Sequence, residues 1–554
     1  PATPERRGAG AAGSAPRSRK RDLFEIAPER HALSPAVPGV GDGRPFFSEP
    51  YRDFSRRSVR EAFAAAVARA SVPRIPSDRT PEQAAEMVAR AHAAFEAWRD
   101  FDPIGRADVL VRAAAKMRAQ RDTLAGVMIK EAGKPWKEAD ADVCEAIDFC
   151  EYYARLAPQL FARQRLGRFI GELDELWYQP RGVCAVISPW NFPLAIIIGM
   201  SVAALVTGNT VIVKPAEQTT GIASIMFDIL DAALREAGAP RDVLHYCPAP
   251  GETTGAALVR DPRVAIIAFT GSKSVGLEII RTAGTTAPEQ EFVKKVVCEM
   301  GGKNAIIVDQ SADLDEAVLG VRYSAFGYQG QKCSACSRVI VVDPEGPAGP
   351  HISTFTERLV EASRALIVKD PTEPGADLGP VIDDQAAAKI RHYIDLAQKE
   401  GCRLLLGQAD FEVPSVPSPS GTIPANYIAP HIFAGVTPEH AIARDEIFGP
   451  VLAVMHAGTF EEALRIANAT PYKLTGGVFT RKPAHIDRAR RDFRVGNLYI
   501  NRGCTGALVA RQPFGGFGMS GVGSKAGGPD YLHQFVEPRA CCENTMRRGF
   551  APEL

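Results

Sequence analysis

The chain predicts an α/β fold built around a parallel sheet, on three observations. From residue 182 onward short apolar strands alternate with helix-length segments, a capped amphipathic helix precedes them, and glycine or hydroxyl residues follow several of the strands. The 554 residues carry 65 Lys plus Arg against 65 Asp plus Glu, so no net field draws the protein to nucleic acid or to an anionic membrane. Apolar residues make up 45% and charged residues 23%, which excludes disorder as the global state. At roughly one domain per 150 residues there is room for three or four domains. Eleven cysteines, odd in number and scattered, with no secretory signal opening the sequence, read as thiols in a reducing compartment.

The elements follow in order. Residues 1–21 hold Arg6, Arg7, Arg17, Arg19, Lys20 and Arg21 against Glu5, among Ala, Gly, Pro and Ser; with too little apolar surface to pack, residues 1–45 read as a basic tail or linker. The rival, a transit peptide, lacks its apolar helical face. Beginning at Pro1 rather than Met suggests processing or excision from a longer polypeptide. Thr80-Pro81-Glu82-Gln83 is a capping box with proline at the first helical position, and Met87, Val88, Ala91, Phe95 and Trp98 recur at helical spacing. Strands are expected at 183–187, 210–213, 243–246 and 264–269, with a helix at 221–237 and a further strand at 305–308. The apolar run 194–206, broken by Gly199 and Ser201, is shorter than the roughly 18 residues of a membrane span and reads as a buried helix. Pro and Ser at 413–421 mark a surface loop.

Ligands of parallel sheets bind at the carboxyl ends of the strands. Lys214 and Glu217 follow the second strand, Gly251 and Gly255 the third, and Thr270-Gly271-Ser272 the fourth, where a hydroxyl at a helix amino end suits a phosphate. Each is weak alone, since such residues are also ordinary turn formers; three at successive strand ends carry more. Gly516-Phe517-Gly518-Met519-Ser520-Gly521 matches a dinucleotide fingerprint letter for letter, but has neither the preceding strand nor the following helix, and is read as a loop.

The densest chemistry lies in Gly327-Tyr328-Gln329-Gly330-Gln331-Lys332-Cys333-Ser334-Ala335-Cys336. No second ligand pair supports a zinc site, and no early βαβ unit adjoins it as in a redox pair. A nucleophilic Cys333 and a pair of buried structural thiols are equal readings on local sequence. Glu299, between an apolar strand and a glycine pair, suits a general base or a half-buried acid satisfied by backbone; Asn191, after the first strand, suits an oxyanion donor or an Asx turn.

These segments resemble the NAD(P)-dependent aldehyde dehydrogenase superfamily: SPWNFP, KPAE, FTGS-x-x-x-G, E-M-G-G-K-N, GQKC and E-I-F-G-P occur in the family's order and spacing, from about residue 49 to 536. GYQGQKCSACSR, NLYINRGCTGALVARQPFGGF and GSKAGGPDY are similar to the 1-pyrroline-5-carboxylate dehydrogenase class, which oxidises glutamate γ-semialdehyde to glutamate. The resemblance implies a Rossmann-like NAD-binding domain (46–160 and 181–298), an α/β catalytic domain (299–524) and a small β oligomerisation flap (161–180 and 525–554). It implies Cys333 as nucleophile, Asn191 as oxyanion donor and Glu299 as base. NAD would be held by Ile187, Ser188, Trp190, Lys214, Glu217, Gly251, Gly255, Ser272, Glu446 and Phe448, with no metal. The amino-acid end of the substrate would meet Ser334, Gly506 and Ala507, with Phe192 and Phe514 along its methylene chain.

The resemblance also implies a homodimer or larger assembly, with the stretch 168–179 pairing with the C-terminal segment of a partner chain, and a cytoplasmic rather than mitochondrial-matrix location. Two alternatives stay within its chemistry: oxidation of another small semialdehyde, or one module of a bifunctional proline-utilisation protein whose proline dehydrogenase partner lies outside this chain. A cysteine hydrolase would need a histidine base, and none of the ten histidines falls in these segments.

Overall fold

The computed structural model describes residues 46–415 and 425–546. The basic tail, residues 416–421 of the Pro/Ser loop and the last eight residues of the flap segment lie outside the described residues. Among the described residues five helices precede the first strand, one of them Pro81–Arg99, whose Thr80 cap accepts from the Gln83 backbone while the Gln83 side chain accepts from the Thr80 N–H, as the capping box predicts. The helix Trp136–Leu160 then lays Val143, Ile147 and Tyr153 against the buried helix Ala195–Val206. Among the described residues no helix is long and apolar enough to cross a membrane.

β1 (Gln164–Leu166) and β2 (Glu172–Pro180) form a hairpin. β3 (Val183–Ile187), β4 (Thr210–Lys214), β5 (Leu244–Tyr246), β6 (Val264–Thr270) and β7 (Lys295–Glu299) pair in parallel in the order β7-β6-β3-β4-β5. The near-complete burial of β3, β4 and β6 is what a sheet covered on both faces requires. Strand order reverses between β3 and β6, so the crevice at their carboxyl ends is a topological switch point.

The strand expected at 305–308 forms as β8 (Asn304–Val308) but belongs to a second sheet. That sheet adds β9 (Cys336–Val342), β10 (Arg403–Leu406), β11 (His431–Ala434), β12 (Val451–Ala457), β14 (Thr475–Phe479) and β15 (Asn497–Ile500), in the order β10-β11-β12-β9-β8-β14-β15, with only β10 antiparallel. Alternation of strand and helix does not reveal this division, because both sheets have the same period. β13 (Tyr472–Lys473) pairs with β16 (Phe517–Gly518), and β17 (Gly521–Val522) returns antiparallel to β7. The carboxyl end of β7 is joined to the amino end of β8, an interior strand of the second sheet, by residues 300–303 alone.

β18 (Val536–Asn544) pairs antiparallel with β2 over nine residues, from Val536 opposite Pro180 to Asn544 opposite Glu172. The expected pairing of this stretch with a partner chain's C-terminal segment is therefore corrected: the strand comes from the same chain. The reason is local, since the buried turn Tyr531–Phe535 delivers β18 directly alongside β2.

Candidate active site

Cys333 sits where a strained loop enters β9. Tyr328, Gln329 and Gly330 all have positive φ (51°, 55° and 67°), a conformation costing about 1–3 kcal/mol per non-glycine residue. Buried hydrogen bonds hold it: Gln329 Nε2 donates to Gly133 O (3.0 Å) and Pro380 O (2.7 Å), and Tyr328 OH to Ala132 O (3.0 Å). Gly330 is glycine of necessity, because a Cβ there would meet Gly449 O at 2.3 Å. Beyond the turn, Asn304 Nδ2 donates to Cys333 O (2.7 Å) and Ala335 O (2.9 Å), tying the loop to the start of β8. The Ser334 N–H favours the Cys333 thiolate. Burial, with Glu446 and Glu299 adding to it, pushes the thiol up to about 12.

Glu299 ends β7 and lines the same cavity as Cys333, together with Glu145, Phe149, Met200, Thr270, Ala507, Phe514 and Tyr531. Its Oε2 accepts from the Gly516 N–H at 3.1 Å, and a Cβ at Gly515 or Gly521 would come within 2.8 Å of its oxygens. The glycine-rich run that mimics a dinucleotide fingerprint is thus a cradle for a carboxylate. Burial raises Glu299 to about 8 against the Gly516 N–H and Lys525, which favour the anion.

Asn191 is buried just past β3. Its Nδ2 donates to Gln331 O at 3.1 Å, and its own carbonyl accepts from Lys134 Nζ at 2.8 Å. Lys134 also pairs with Asp142 at 2.9 Å and lies 4.0 Å over the ring of Phe192. Phe514 and Ala507 line the cavity; Phe192, Asn191 and Ser334 are not among its lining residues. The Ser334 carbonyl accepts from Thr475 Oγ1 and Cys504 Sγ, so it braces the loop that carries Gly506. Gly506 has φ +73°, and neither its N–H nor that of Ala507 donates to any protein acceptor among the described residues.

The residues that follow β4 and β5 meet at the carboxyl end of the first sheet. Lys214 Nζ and Glu217 Oε1 lie 3.2 Å apart, and Glu217 Oε1 accepts from the Gly251 N–H at 2.7 Å. Burial would raise Glu217, but Lys214 and these backbone donors outweigh it and hold the carboxyl below its ordinary value. A Cβ at Gly251 or Gly255 would make ordinary contacts with Lys214 and its neighbours at 3.6 Å or more, without a clash. Ser188 N–H donates to Lys214 O, linking β3 and β4 beyond Ile187. Ser272 caps the helix Lys273–Ala283, its Oγ accepting from Val275 N at 3.4 Å. At the inner end Glu446 Oε1 accepts from Gly302 N–H (2.9 Å), and Trp190 packs edge-on to Phe448 at 5.5 Å, where Phe448 holds φ +63°.

The aldehyde dehydrogenase family model matches residues 66–541. The chain belongs to that family. Among aldehyde dehydrogenases it is 43% identical over 532 residues to the 1-pyrroline-5-carboxylate dehydrogenase of Geobacillus thermodenitrificans, covering 90% of this chain and 99% of the relative. The structure of 1-pyrroline-5-carboxylate dehydrogenase from Thermus with bound NAD is similar with a TM-score of 0.82 and 40% identity, over 91% of this chain and all of that one (100%). Proline utilization A from Bdellovibrio bacteriovorus gives a TM-score of 0.84 at 43% identity; the match covers 94% of this chain and only 56% of that longer chain.

Three features of this aldehyde dehydrogenase site escape the sequence reading. Glu145 lies on a long helix far upstream, carries no motif, and is exposed only in part, beside Cys333 in the cavity. Burial, with Asp142 adding to it, raises its carboxyl to about 8. Lys303 is buried with no hydrogen-bond partner for its Nζ among the described residues, and burial and Arg338 push it down to about 7. The third is the cradle around Glu299, whose glycines were legible but whose occupant was not.

Proposed function

We propose that the protein oxidises glutamate γ-semialdehyde, the open form of 1-pyrroline-5-carboxylate, to glutamate with NAD. The observation that carries this reading is the cavity shared by Cys333, Glu299 and Ala507, with two undonated backbone N–H groups at Gly506 and Ala507 beside it. The relatives' names support it, and the residues fit NAD: an acid at the end of β4 accepts a ribose hydroxyl and repels a 2′-phosphate. Lys214, Glu217, Gly251, Gly255 and Ser272 hold the adenosine and phosphate end, Ile187, Ser188 and Trp190 line the path, and Glu446 and Phe448 hold the nicotinamide end.

Cys333 Sγ attacks the aldehyde carbon as its proton passes to a base of the cavity, Glu299. The resulting oxyanion is held by the Cys333 N–H and by the second Nδ2 hydrogen of Asn191, the first being committed to Gln331; one such donor is worth about 3 kcal/mol in the barrier. Bound NAD supplies the hydride acceptor and a cationic ring that offsets the acids around Cys333. Glu299, once it has released the thiol proton to solvent, takes a proton from the water that cleaves the thioester, and Cys333 leaves as the thiolate while the acid departs. Ser334, Gly506 and Ala507 hold the substrate α-carboxylate, Phe514 and Phe192 bound the methylene chain, and Glu145 faces the α-ammonium.

The eleven free cysteines fit a reducing, cytoplasmic setting. β18 is an edge strand of the flap, exposed from Pro538 to Asn544, which suits a homodimer or larger assembly, while a proline-oxidising partner would be a separate segment. A coenzyme-by-substrate matrix tests the reading. NAD with 1-pyrroline-5-carboxylate should give the highest kcat/KM; a higher value for another semialdehyde or a simple aliphatic aldehyde would refute the substrate assignment.

A further inference from the structure

Resting on that reading, we infer that Arg502 is a positioning residue that selects substrates bearing an α-carboxylate, by orienting the two peptides whose N–H groups receive it. The segment after β15 is pinned at two points. Asn501, at φ +52°, donates its N–H to Val478 O (2.8 Å) and accepts from Thr480 N–H at Oδ1 (2.9 Å), and Cys504 N–H donates to Ser324 Oγ (3.1 Å). Between these points Arg502 folds its guanidinium over the Tyr499 ring at 4.8 Å. Its Nη2 then donates to Thr505 O at 3.1 Å and to Gly506 O at 3.4 Å.

Those carbonyls are not independent of the carboxylate site. Thr505 O shares a planar peptide with Gly506 N–H, and Gly506 O shares the next with Ala507 N–H. In a trans peptide the C=O and N–H point in opposite directions, and no peptide among the described residues is cis. One nitrogen holding both oxygens on the outer side therefore aims both N–H groups to the other side, that of Ala507 and the cavity. Gly506, at φ +73°, permits two successive N–H groups to converge as an anion nest. Leu508 N–H is excluded from the nest, because Gln512 Oε1 accepts it at 3.0 Å. Arg502 itself is exposed, so its effect is exerted through the peptides and survives salt that screens a surface charge.

The test compares wild type, Arg502→Ala and Arg502→Lys with two substrates, 1-pyrroline-5-carboxylate and propanal, which lacks the carboxylate. For Arg502→Ala the KM for 1-pyrroline-5-carboxylate should rise roughly tenfold or more, at low and high ionic strength alike, with kcat changed less than twofold and propanal kcat/KM retained. Arg502→Lys should recover part of the loss, since an ammonium donates to one carbonyl more readily than to two. An unchanged KM, a defect that vanishes in high salt, or an equal fall for both substrates overturns the inference. Wild-type protein inactive on 1-pyrroline-5-carboxylate would instead overturn the functional reading, so the two failures are distinguishable.

Discussion

The Asn191 side-chain amide donates one hydrogen to the carbonyl of Gln331, two residues before Cys333, at 3.1 Å. The loop after β3 and the loop before β9 are thereby locked to one another, and the amide makes no other hydrogen bond through Nδ2 among the described residues, as the proposed oxyanion role requires. Asn191→Ala should lower kcat by roughly 10²- to 10³-fold, the typical result of removing one such donor. Steady-state kinetics with circular dichroism check it; a loss under tenfold in a folded variant counts against the oxyanion role.

The pH dependence follows from Glu299. Its carboxyl is raised to about 8 by burial, and the base is active only when deprotonated, so activity should rise with pH through about 8. The thiol, pushed up to about 12, stays protonated across that range and adds no inflection of its own. A pH profile of kcat/KM on wild type should show this rise, and Glu299→Gln should abolish it along with most turnover.

On the proposed reading, coenzyme choice is set at the end of β4, where Glu217, held ionised by Lys214 and by the Gly251 N–H, would meet the ribose and repel a 2′-phosphate. Glu217→Ala should raise the KM for NAD roughly tenfold and shift the NAD-to-NADP preference toward NADP; an unchanged ratio would place coenzyme discrimination elsewhere.

Stability is exposed at a buried ion pair. Lys134 and Asp142 are both fully buried and 2.9 Å apart, beneath the Asn191 carbonyl. Lys134→Met strands Asp142 and should cost about 3–5 kcal/mol, visible as a lower urea midpoint. Little change in the midpoint would show that Asp142 finds another partner or a proton.

Legibility from sequence tracked how local each determinant is. The Thr80 cap, the Ala195–Val206 helix and β3, β4 and β6 depend on near neighbours and were readable within a residue or so. Assignment of β8 to a second sheet depends on its pairing with β9 and β14, which no local pattern encodes. Cys333, Glu299 and Asn191 could be singled out because each lies at or within a few residues of a strand end and falls in a motif that the family resemblance carries. Glu145 could not, for it reaches the cavity only because its helix packs against Ala195–Val206. The strand partner of β2 was misjudged because the turn that returns β18 to its own chain is a tertiary feature.

The most direct test is the stoichiometry of products from 1-pyrroline-5-carboxylate and NAD, measured on purified wild type beside Cys333→Ala. One glutamate should form for each NADH in wild type, and neither should form in Cys333→Ala. NADH from simple aldehydes without any glutamate from 1-pyrroline-5-carboxylate, or turnover surviving in Cys333→Ala, would contradict the account.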